Sequence, residues 1–352
     1  MENTAKTAAN TRQCQVEFSG KAGEFFGIWI VNIFLSIITL GIYSAWAKVR
    51  TNQYFYGHTR IDGQAFRYLA KPMQILKGRL LALAIFIGFF LLSSASPILA
   101  GFVILGFVFL MPLLIVLGMR FKMRMTGYRN VRFDFHGDYA DAFITFFLLP
   151  ILAVISLYLA MPWVLKKMDE YLYDNISFAG NSLTVNTRTA SYYAASLLAV
   201  ASVIAVVIVL GILGAMLFSA GLLAQLSSAS FMLTLVIFIG YWLAFALASA
   251  IYGAMIRNHI FESCHFENLA SFQSNLQVMP FLWLNVTNLL AIIVSLGLAY
   301  PWAKIRKAHF LAGVTTVNLS ENANQLLDNV QPNTGAFGEE AADLFDIDVS
   351  LA

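Results

Sequence analysis

Charge is what this sequence has least of. Only 12% of its 352 residues are Asp, Glu, Lys or Arg, whereas a soluble domain carries about 25%. Hydrophobic residues make up 59%. Runs without any charge extend over Phe25–Ala47, Leu80–Met119, Ala142–Leu165, Thr189–Ile256 and Asn268–Ala303. About 20 apolar residues cross a bilayer as a helix, so these runs exclude a soluble protein with a few buried helices. Cysteine is also scarce. Cys14 and Cys264 are the only two, too few for a disulfide framework. Residues 1–21 are polar and lack the apolar core of a signal peptide, so the first apolar run is expected to direct insertion.

The usual signatures of chemistry are missing as well. No glycine-rich phosphate loop follows a strand pattern. His259, Glu262, Cys264 and His265 form the one His/Cys/acid cluster, and they lack the paired spacing of a zinc site. The expectation is therefore no enzyme, no metal and no cofactor. The net charge of +3 is small. The bases gather between apolar runs, which is the pattern of loops held on the cytoplasmic side, not of a nucleic-acid site.

What the sequence does contain is a recurring phrase. TLGIYSAWAKVR (39–50) and SLGLAYPWAKIR (295–306) close the first and last apolar runs, and SLYLAMPWVLKK (156–167) closes a middle one. Each phrase puts Trp near the end of an apolar run with bases after it. This suits a membrane–water boundary, where an indole keeps one wet edge and basic side chains reach the headgroups. Trp46, Lys48, Arg50, Trp163, Lys167, Trp302, Lys304 and Arg306 are the expected interfacial anchors.

Alternating residues mark strands. Cys14, Val16 and Phe18 fall on one face, as do Val131, Phe133 and Phe135. Asp62-Gly63 is a hairpin turn within His58–Tyr68, and Gly180-Asn181 is a second within Asp174–Thr187. Breaks at Ser93–Pro97 and Gln225–Ser230 split the two longest runs. About seven apolar segments result, at 25–45, 80–94, 97–119, 142–162, 193–218, 231–255 and 280–300.

The fold class expected is a polytopic all-α membrane protein with small β-hairpin extensions and a threefold internal repeat whose third copy is truncated. Its parts are a polar segment 1–22 with a strand, repeat units 23–134, 135–257 and 258–319, and an acidic, disordered tail 320–352. Seven full spans are the simpler reading. The other has the first, fourth and seventh segments re-entering the same side, so that every strand could join one sheet. Both put the C-terminus in the cytoplasm. Among residues at depth, Asn32 and Asn288 share a register relative to Trp, and Asn285 lies one turn from the second. These three amides are the candidate intramembrane polar site, and the competing reading is that they tie helices together.

FSGKAGEFFGIWIVN (18–32), the first phrase and the HTRIDGQAFRY hairpin together resemble the YjgN-like family of bacterial inner-membrane proteins, and the last phrase is similar to the second half of that pattern. The resemblance spans most of residues 13–319. It implies a multi-pass inner-membrane protein and no defined activity. Two functions stay open. One is a permease or channel-like protein for a small solute or lipid. The other is a non-transporting scaffold or envelope-organising protein, with the bilayer and a protein bound by the acidic tail as partners.

Overall fold

The computed structural model describes residues 11–219, 229–267 and 269–320. The acidic tail beyond residue 320 and most of the expected turn at Gln225–Ser230 lie outside them. Eleven strands occur among the described residues: β1 Thr11–Gln15, β2 Glu17–Phe18, β3 Thr59–Ile61, β4 Gln64–Tyr68, β5 Thr126–Tyr128, β6 Val131–Phe135, β7 Ile176–Phe178, β8 Asn181–Val185, β9 Cys264–Phe266, β10 Ala270–Ser274 and β11 Thr315–Ser320. The helices are α1 Ala22–Ile38, α2 Ser44–His58, α3 Pro72–Ala95, α4 Pro97–Arg124, α5 Tyr139–Phe143, α6 Leu149–Ile155, α7 Met161–Asp174, α8 Thr189–Ser219, α9 Ala229–Ser263, α10 Val278–Val294 and α11 Tyr300–Gly313. A π-helical turn, Ile144–Leu148, joins α5 to α6.

All eleven strands belong to one antiparallel sheet in the order β1-β11-β10-β9-β8-β7-β6-β5-β4-β3-β2. Its two ends, β1 and β2, are consecutive pieces of one chain segment. Only Val16 separates them, and its N–H donates to Thr315 O at 3.0 Å. The sheet thus runs round almost to its own start and leaves little open edge. Antiparallel order makes successive connections alternate between the two rims. The tight turns β3–β4, β5–β6, β7–β8 and β9–β10 all fall on one rim, and the five helical connections all leave from the other.

The alternation read in the sequence has its physical outcome here. Cys14 pairs with Val317, which pairs with Phe272, and Phe66 pairs with Tyr128. Aromatic rings continue along the same face, with Phe133–Phe178 at 4.4 Å, Phe178–Phe266 at 6.3 Å and Phe266–Phe272 at 6.0 Å. The inward face is a packed core. Each fully buried ring, such as Phe135, contributes roughly 1.5–3 kcal/mol.

Several expectations need correction. Among the described residues, four helices are long and apolar enough to cross a membrane: Pro72–Ser94, Pro97–Arg124, Thr189–Met216 and Val236–Ser263. The first, fourth and seventh segments instead form short helices, Ala22–Ile38, Tyr139–Ile155 and Val278–Val294. A 17-residue helix rises about 25 Å, less than the ~30 Å hydrocarbon core. The chain then reverses. Leu40 and Gly41, Leu157 and Tyr158, and Leu296 and Gly297 all have positive φ, and α2, α7 and α11 return to the same rim. Seven spanning segments are therefore replaced by two pairs of helices long enough to span and three short returning hairpins. Nor are the β elements small extensions, because they form one shared sheet. A threefold repeat with a truncated third copy does not describe this architecture either. Five helical hairpins hang from a single sheet, and the phrases mark only the three short ones. One turn also moves: the β7–β8 reversal has its positive φ at Ala179 and Gly180, not Gly180-Asn181.

Candidate functional site

The first hairpin builds one wall of a cleft. Asn32, on α1, is only 5% exposed. Its Nδ2 donates across the hairpin to Ala47 O of α2 at 3.4 Å. On the other side α11 packs along α1, with Trp29 and Tyr300 rings 6.1 Å apart. From α3, Arg79 hydrogen-bonds Ser44 Oγ. The four helices line an open cleft of about 600 Å³. Three cations line this space, Lys48, Arg79 and Lys304, alongside polar Asn32, Ser36, Ser44, Thr51 and Asn52 and apolar Phe25, Trp29, Ile33 and Ile37. None of the fourteen lining residues is acidic. Lys304 is held by aromatic faces, its Nζ lying 4.7 Å from the Phe55 centroid and 5.6 Å from that of Phe25. The hairpin tip just beyond is bare and apolar: Leu40 is 94% exposed. The cationic recess thus lies one to two turns behind an apolar tip.

Asn288 has a different setting. Its Nδ2 donates to Ala303 O at 3.3 Å, and its Oδ1 accepts from Arg306 Nη1 at 3.0 Å. Arg306 also donates to Thr287 Oγ1 at 2.6 Å, and its guanidinium sits 5.2 Å from the centre of Trp302. Asn285 is half-buried one turn away on α10. The structure thus places Asn32 in the cleft and leaves Asn288 and Asn285 off its lining. Of the expected anchors, Lys48 and Lys304 line the cleft. Trp46 stacks on Tyr43 at 6.1 Å, and Arg50 donates to the Tyr43 hydroxyl at 3.0 Å.

In the middle hairpin Trp163 is half-buried, and Lys167 meets Glu170 at 3.0 Å. Glu170 also accepts from Thr187 at 2.8 Å. Burial works to raise the Glu170 pKa, but Lys167, Thr187 and Lys166 outweigh it and leave it lowered. Its neighbour Asp169 is raised by burial, although the Tyr192 hydroxyl donates to it at 2.8 Å. These groups hold α7 to the start of α8. The His/Cys/acid cluster is dispersed. His259 Nε2 accepts from Arg188 N–H at 2.8 Å, and His265 pairs with Thr184 at 2.8 Å. Cys264 lies inside the sheet, where burial pushes its thiol up to about 12.

Arg79, Ser44 and Asn52 were not singled out from the sequence. Arg79 immediately precedes a charge-free run and reads there as an ordinary flanking base. Only the packing of α3 on α2 brings it to the cleft.

Among the described residues, four long apolar helices and three short hairpins, all leaving one rim of a sheet, define a membrane protein. The chain belongs to the family described as bacterial protein of unknown function (DUF898), whose model matches residues 13–344. That match runs past the limit of about 319 drawn from the motifs and takes in part of the acidic tail. The chain is 26% identical over 379 residues to the inner membrane protein YjgN of Salmonella typhimurium, covering 94% of this chain and 95% of that one. It is 32% identical over 146 residues to the inner membrane protein YjgN of Escherichia coli K12, covering 40% of this chain and 35% of that one. No solved structure matches.

Proposed function

We propose that this protein sits in the bacterial inner membrane as a multi-pass protein and binds an anionic amphiphile, with the anionic head in the α1–α2–α3–α11 cleft. One observation carries the reading: three cations and no carboxylate line a recess that also has an apolar wall. Basic pockets between membrane helices are suited to lipid headgroups, and Ile33 and Ile37 continue from the cations toward the exposed hairpin tip. The aromatic filling of the sheet favours binding from the leaflet over a pore through the sheet. Uptake of such a molecule would be the first step of a permease for lipid-like substrates. The C-terminus and the whole sheet are assigned to the cytoplasm. The tips at 39–43, 95–96, 156–160 and 295–299 contain no charged residue, and retention of bases on the cytoplasmic side is the general rule.

The test is native mass spectrometry of the detergent-purified full chain. Lys48→Ala combined with Arg79→Ala should lower retention of anionic lipid by roughly tenfold, the equivalent of about one charge-assisted hydrogen bond. Unchanged retention in a folded variant would sink the reading.

A further inference from the structure

The first and last hairpins hold the same amide in two conditions. Both have a Leu-Gly pair at positive φ, at 40–41 and 296–297. Both have a buried Asn whose Nδ2 bridges to the returning helix, at Ala47 O and Ala303 O. In the last hairpin the amide oxygen is satisfied by Arg306 at 3.0 Å. In the first, Asn32 Oδ1 is buried and has no donor. The arginine in the corresponding place, Arg50, is exposed and serves the Tyr43 hydroxyl. A buried carbonyl oxygen without a donor bears its full desolvation cost, and native structures keep few of them without a reason. Asn32 lines the cleft that holds Lys48, Arg79 and Lys304.

We propose that the cleft is built for a phospholipid whose head group carries its own N–H or O–H donor beside the phosphate, as phosphoethanolamine and phosphoglycerol heads do. The phosphate meets Lys48 and Arg79, and the donor meets Asn32 Oδ1. A phosphodiester with no further hydroxyl or amine satisfies the cations but offers the amide no donor, and a fully methylated amine offers no N–H at all. This inference rests on the reading that the cleft's cations take an anionic phosphate, and narrows it to a head-group class.

The experiment compares phosphatidylethanolamine, phosphatidylglycerol and phosphatidylcholine with identical acyl chains, offered in equal amounts to the detergent-purified full chain and read by native mass spectrometry. The ethanolamine lipid should be retained about tenfold over the choline lipid of equal net charge, as for one hydrogen bond gained or lost, and the glycerol lipid, which adds a net negative charge, at least as well. Asn32→Leu should collapse that preference, bringing the ethanolamine adduct down to the level of the choline adduct. Asn32→Asp, which retains an acceptor oxygen, should preserve the preference. Equal retention of ethanolamine and choline lipids by the wild-type chain overturns the proposal, and that comparison requires no variant to fold. If Lys48→Ala with Arg79→Ala still weakens every adduct in that case, the broader anionic reading survives alone. If the charge variant has no effect, both fail. Water-soluble glycerophosphoethanolamine provides the last arm: displacement of the lipid at equal concentration would overturn the lipid source in favour of a free phosphate ester.

Discussion

Asp62 shows what one residue does in a sheet that has to close on itself. It occupies the β3–β4 turn at φ 51°, next to Gly63 at 73°. Its side chain is 8% exposed and takes Arg12 of β1 and Arg129 of the β5–β6 turn, each at 2.7 Å. The carboxylate therefore ties the closing strand to a neighbouring hairpin. Asp62→Ala should cost about 3 kcal/mol, because the Arg129 end of the pair is largely buried. Arg12→Ala should cost less than ~1 kcal/mol, because that guanidinium is mostly in solvent. Thermal midpoints in detergent by tryptophan fluorescence measure both, and equal losses would refute the assignment. At this scale the sequence was partly readable. Asp62-Gly63 could be recognised as a turn from local chemistry alone. Its ion pairs could not, since Arg12 and Arg129 lie 50 and 67 residues away in the chain. The same limit applies to the cleft: Asn32 and Lys48 were visible as notable residues, but Arg79 became relevant only through packing.

At the scale of elements, strands were more legible than helices. Alternation over Cys14–Phe18 and Val131–Phe135 reports directly which side chains face the core. The apolar runs report only that they avoid water, so a 17-residue helix followed by a reversal has nearly the composition of a full span. The reversals themselves are poorly encoded. Gly41 and Gly297 are visible, but Leu40, Leu157, Tyr158 and Leu296 also adopt positive φ, which no propensity would assign to them. Gly41 separates conformation from space, because an added Cβ there would meet nothing within 4 Å. Gly41→Ala should therefore destabilise only through its φ of +91°, by about 1–2 kcal/mol. Gly23→Ala is the control. It also meets nothing within 4 Å but lies in α1, where alanine is favoured by up to ~1 kcal/mol. Opposite shifts in thermal midpoint are expected. A neutral Gly41→Ala would mean that the reversal is not held as described.

The molecule as a whole follows from one topological fact. In an antiparallel meander the tight turns must share one rim, so the turns at Asn130 and Gly180 lie on the same side of any membrane crossed by the helices of the other rim. Seven spans would place a crossing between these two turns and put them on opposite faces. Single cysteines at Asn130, Gly180 and Ser96, probed in intact cells with a membrane-impermeant maleimide, separate the two arrangements. With the sheet in the cytoplasm, Asn130→Cys and Gly180→Cys should both resist labelling until the membrane is opened, while Ser96→Cys, at the tip of the α3–α4 pair, should react from outside. The native thiols will add little background, since Cys14 and Cys264 are both buried and free and burial raises the pKa of each, so few thiolates exist to react. Labelling of Asn130→Cys and Gly180→Cys from opposite sides would restore a full crossing by the α5–α6 segment. Labelling of both from outside, with Ser96→Cys protected, would keep the fold and invert its orientation. The cleft would then open toward the outer leaflet, and its three cations would meet a different lipid population.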